Sequence, residues 1–143
     1  MSRAEALIHH AAAALVGITG LAYFWTLWLA ELPADEFGTG VHPLQGDFQH
    51  FHILTAPILI FASGLIWKRH AWARIKEQHK KHRRTGLLLA TTLLPMVLSG
   101  YLLQISVEEI WREIWRWVHS GTSGLWLLAY GIHQFERTRN QKA

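Results

Sequence analysis

Residues 7–30 read LIHHAAAALVGITGLAYFWTLWLA, twenty-four positions without a Lys, Arg, Asp or Glu. At ~1.5 Å of rise per residue such a helix reaches ~36 Å, enough to cross a hydrocarbon core of ~30 Å. The run is longer than the roughly 7–15 residues of a signal-peptide core, and no A-x-A-like site follows it, so it is expected to be a retained helix. Working outward, three more spans follow at about 51–67, 86–105 and 112–133. The second and fourth are marginal in apolar length; flanking aromatic and basic side chains at headgroup level make up the deficit. The fourth has an amphipathic lead-in from Val107.

Composition agrees with a membrane chain. Of 143 residues, 50% are hydrophobic, 17% are charged and eight are Trp. A soluble four-helix bundle should show a polar face on each helix, and the first and third spans have almost none. With no Cys in the chain, a disulfide scaffold, thiolate metal site, Cys-held iron–sulfur cluster and covalent c-type haem are all excluded. No repeat or long linker divides the sequence. The expected architecture is all-α, a single domain over residues 1–143, folded as a four-transmembrane-helix bundle.

The basic residues orient it. Twelve of the fourteen Lys and Arg fall at the N-terminus, in the stretch Lys68–Arg84 or in the C-terminal tail; only Arg112 and Arg116 fall on the other side. The positive-inside rule then places both termini and the middle loop in the cytoplasm. The outer loop 31–49, with Pro33, Gly38, Gly40, Pro43 and Gly46, reads as an ordered or semi-ordered cap. Topology accounts for the basic loop, so nucleic acid is not an expected partner; membrane lipid is.

Ionisable side chains in spans are costly and point to function. His119 and His133 are fourteen residues apart, close to four helical turns, so they share one stripe ~21 Å apart along the axis. Each needs a partner at its own depth. His52 opens the second span at the outer level, with Ala56 at +4; His9 and His10 open the first at the inner level, and only one of these neighbours can face inward. His52 with His119, and His9 or His10 with His133, make two bis-imidazole pairs of the kind that hold haem iron noncovalently. Gly17 and Gly20 on the first helix, and Gly121, Ser123, Gly124 and Gly131 on the fourth, leave room for a flat macrocycle, although small residues also serve ordinary helix packing. His42, His50, His70, His79 and His82 read as hydrated interfacial residues. Arg112 and Arg116 outside, and Arg69 and Arg84 inside, are candidates to pair with propionates, with interfacial anchoring as the plainer role. Pro57 and Pro95 are expected to kink their helices.

The stretches LIHHAAAALVGITGL, HFHILTAPI, TGLLLATTLLPMVLSGYLL and WVHSGTSGLWLLAYGIH resemble the di-haem cytochrome b superfamily. That superfamily includes the prokaryotic cytochrome b561 proteins and the cytochrome b subunits of nickel–iron hydrogenases. The resemblance covers nearly the whole chain, and the spacing on the fourth helix is its most specific part. Two positions depart from the pattern: His9-His10 stands where His-Trp is common, and Ala56 where Gly is common. The resemblance implies two b haems with His9 or His10, His52, His119 and His133 as axial ligands, a quinone as substrate, and a prokaryotic inner (cytoplasmic) membrane location. It also implies a role in moving electrons across the bilayer, as a subunit beside a dehydrogenase or multihaem partner. The competing reading is a haem-free, His-lined membrane protein, either a metal transporter or a structural subunit.

Overall fold

The computed structural model describes residues 2–30, 40–76 and 83–139. Among them every regular element is helical: α1 (Arg3–Trp28), α2 (Gln45–Ile66), a π-helical stretch (Trp67–Trp72), α3 (Ala73–Lys76), α4 (Arg83–Ile105) and α5 (Glu109–Arg139). Three helices, Arg3–Trp28, Gln45–Lys76 and Arg84–Ile105, are long and apolar enough to cross a membrane. Large apolar side chains point outward along them, including Leu21 (59% exposed), Leu54 (72%), Phe61 (67%) and Leu94 (63%). Contact with lipid makes that arrangement favourable over so much surface. The chain is therefore read as a multi-pass membrane protein.

α5 is not among those three helices. Glu109, Arg112, Glu113 and Arg116 occupy its first two turns, and His119, Ser120, Thr122 and Ser123 follow. These residues lower its mean hydropathy, although its helix runs for 31 residues.

Helix ends follow local chemistry. Ser2 caps α1: its hydroxyl accepts from the Glu5 N–H at 3.1 Å, and its own N–H donates to Glu5 Oε2 at 2.7 Å. This capping box satisfies two otherwise orphaned donors. α2 starts at Gln45, six residues before the expected span, and helix continues to Lys76, past the expected end at 67. The sequence reading makes Lys68–Lys76 loop, and here it is helical. It contains no Gly or Pro, and its Lys, Arg and Ala favour helix. Hydropathy marks where lipid ends, whereas these propensities decide where helix ends. Helix runs through both Pro57 and Pro95. Of the expected outer cap, residues 31–39 lie outside the described residues, as do His79 and His82. At Gly40 φ is +50°, in the left-handed region that glycine tolerates best.

The chain divides into two compact units, Met1–Trp67 and Lys68–Ala143. In the first, α1 and α2 run antiparallel: His9 meets Ser63 near one end and Thr19 meets His52 further along. Buried residues recur at helical spacing, at His9, Ala12 and Ala13 on α1 and at Thr55, Leu59, Ala62 and Ser63 on α2. In the second unit α4 and α5 run antiparallel, with Thr85 against His133 and Ser99 against His119. Thr92, Met96 and Ser99 of α4 are buried, as are Trp126 and Ala129 of α5. Small and hydroxyl-bearing residues dominate these stripes, which lets helix backbones approach closely where no hydrophobic force separates helix from lipid.

Candidate functional site

In each helix pair two histidines at different axial levels sit against hydroxyls of the neighbouring helix: His9 and His52 in the first, His119 and His133 in the second. His119 is the best defined. Its Nδ1 lies 2.9 Å from the Met96 carbonyl oxygen and 3.4 Å from Ser99 Oγ. A carbonyl only accepts, so Nδ1 carries the proton, and in a neutral imidazole the lone pair is then on Nε2. The Ser99 hydroxyl donates to the same carbonyl at 3.0 Å. Ser123 Oγ, one turn along α5, reaches Nε2 at 3.5 Å.

His52 and His133 repeat the pattern. His52 Nδ1 is 3.3 Å from Thr19 Oγ1, whose own proton goes to the Leu15 carbonyl at 2.9 Å. The threonine oxygen is thus the acceptor and Nδ1 the donor. His133 Nδ1 is 2.9 Å from Thr85 Oγ1, and the Thr85 hydroxyl donates to Glu136 Oε2 at 3.4 Å. In all three rings the tautomer that ligates a metal through Nε2 is the one the hydrogen bonds select.

A glycine follows each of these hydroxyl residues. A Cβ at Gly20 would stand 2.8 Å from His52 Cε1, and one at Gly100 would stand 3.0 Å from His119 Cε1. At Gly86 the distance to His133 Cε1 is a looser 3.8 Å. The Ser/Thr–Gly dipeptide is therefore a seat: the hydroxyl supplies the acceptor and the missing side chain lets the ring close against the backbone. Thr85 and Ser99 are fourteen residues apart on α4, matching His133 and His119 on α5. That mirrored spacing is legible in the sequence. Trp126 lies midway between the two histidines of α5, buried and stacked on Tyr130 at 5.1 Å.

His9 differs. It is buried, with Nε2 rather than Nδ1 facing Ser63 Oγ, at 3.4 Å. His10 is only half-buried and meets the His9 ring edge-on, centroids 6.3 Å apart. Of the two neighbours His9 is the more buried.

The remaining candidates have local roles. His42 packs against Trp25 at 5.0 Å and accepts from the Leu44 N–H at 3.1 Å. His50 is exposed and His70 half-buried. Arg116 pairs with Glu113 and, at 3.6 Å, with Glu109; Arg112 lies 3.7 Å from Glu109. Trp117 Nε1–H donates to Glu113 at 2.8 Å. Arg112 and Arg116 are thus held by acids of their own helix. Arg69 and Arg84 are surface-exposed. Gly121, Gly124 and Gly131 are exposed, with no atom within 4 Å of where a Cβ would stand. Among the described residues no three His, Asp or Glu side chains converge as a metal-ion site.

Comparisons with protein-family models, with curated proteins and with solved structures find no match to this chain.

Proposed function

We propose that this chain is a membrane di-haem b-type cytochrome of a prokaryotic inner membrane. In this reading it passes electrons across the bilayer between a redox partner and a quinone, as a subunit of a larger redox complex. α5 is then a fourth span, and both termini face the cytoplasm as the basic residues predict. The observation that carries the reading is the seating of His52, His119 and His133: each donates Nδ1–H to an oxygen of the neighbouring helix. Metal-ligating histidines are held in this way, because the second hydrogen bond fixes ring plane and tautomer.

The donor set fits haem. It is all imidazole, matching bis-histidine axial ligation, and the spacing on α5 provides two levels ~21 Å apart. The pairing expected from sequence is His52 with His119, and His9 or His10 with His133; burial favours His9. Bound iron supplies the one-electron exchange. For His52, His119 and His133 the chain's own part is to hold Nε2 toward it and to keep the ring in one plane through Thr19, Met96 and Thr85, with apolar helix around the centres.

Reduced-minus-oxidised spectroscopy of the purified chain, with elemental analysis alongside, tests this reading. Haem b at two per chain supports it. A chain with bound zinc or copper and no haem supports the transporter reading instead.

A further inference from the structure

The two seats on α5 differ in what lies behind the acceptor. At His119 the Nδ1–H ends on a neutral carbonyl, that of Met96. At His133 it ends on Thr85 Oγ1 at 2.9 Å, and that hydroxyl passes the polarity on to Glu136 Oε2 at 3.4 Å. Glu136 lies one turn beyond His133 on α5, while Thr85 belongs to α4. Imidazole, hydroxyl and carboxylate are joined through the neighbouring helix, and all three residues are half-buried. A carboxylate behind the hydroxyl strengthens its acceptance of the Nδ1 proton, because charge-assisted hydrogen bonds are stronger than neutral ones. Pulling on that proton makes Nε2 a better electron donor to a metal, and a better donor favours the more oxidised iron.

We propose that Glu136, acting through Thr85, is a positioning residue that lowers the reduction potential of the iron held by His133. This inference rests on the di-haem reading above and deepens it.

The test is a redox titration of the purified full chain and its Glu136→Gln, Thr85→Val and Thr85→Ser variants, following the haem absorption. Glu136→Gln is expected to shift the ferric–ferrous equilibrium of one haem about tenfold toward the reduced form, 59 mV for a one-electron couple. The other haem stays where it was. Thr85→Val shifts the same haem in the same direction, and Thr85→Ser, which keeps the hydroxyl, behaves as wild type. The shift persists in a His119→Ala background and vanishes in His133→Ala. If Glu136→Gln and Thr85→Val lose one haem that Thr85→Ser keeps, the relay is likewise supported. Unchanged midpoints, equal movement of both, or haem loss in all three variants overturns the inference while leaving the di-haem reading intact. A wild-type chain without haem overturns both.

Discussion

His119 Nδ1 stands 2.9 Å from the carbonyl oxygen of Met96, and this one contact decides which ring nitrogen carries the proton. Because the acceptor is backbone, no side-chain substitution at position 96 removes it. Ser99 adds a second, longer contact at 3.4 Å. Ser99→Ala is therefore expected to be mild, about 0.6 kcal/mol or less, the average for a hydrogen bond between membrane helices. Haem content and thermal stability of the variant check this; loss of the haem in Ser99→Ala would show that the carbonyl alone does not hold the ring.

At His52 the balance is reversed. The acceptor is the Thr19 hydroxyl at 3.3 Å, a side chain that can be removed. Thr19→Val is expected to weaken haem retention at that level, and Thr19→Ser to restore it. A chelation or haem-transfer assay to apomyoglobin reads the difference. Equal retention in Thr19→Val and wild type would assign the contact to helix packing alone.

The glycines make a graded set. Gly20→Ala and Gly100→Ala place a Cβ 2.8 and 3.0 Å from an imidazole carbon, so the ring or the helix must move. Overpacking of this kind costs about 1–3 kcal/mol. Gly86→Ala, at 3.8 Å, should be tolerated. The expected order of damage to haem spectrum and melting temperature follows the distances. A uniform response across the three would refute the seat as a feature of Gly20 and Gly100.

Orientation can be read with cysteines, since the chain has none of its own. Val41→Cys and Arg74→Cys introduce thiols at exposed positions on either side of α2. A membrane-impermeant maleimide is expected to label the first in intact cells and the second only after permeabilisation. The opposite pattern would invert the topology inferred from the basic residues.

The spans were legible because an uncharged run such as 7–30 has few other physical meanings. That His119 and His133 share one stripe of a helix was legible because a helix turns ~100° per residue whatever its neighbours are. The continuation of helix through Trp67–Lys76 was not, since a charge-rich stretch beyond the membrane can be helix or loop at equal hydropathy. The acceptors were hidden for another reason. Which hydroxyl meets which ring depends on the register between two helices, and hydropathy carries no register. Here the mirrored spacings of Thr85 with Ser99 and His119 with His133 do carry it. His9 and His10 could not be told apart by sequence, because adjacent residues differ only in direction; in the fold His9 is the more buried.

The most direct measurement is haem per chain, taken together for the wild type, His119→Ala and His133→Ala. Two b-type haems in the wild type, and one in each variant, is the predicted result. A wild type without b-type absorption, or haem content that neither substitution changes, contradicts the account.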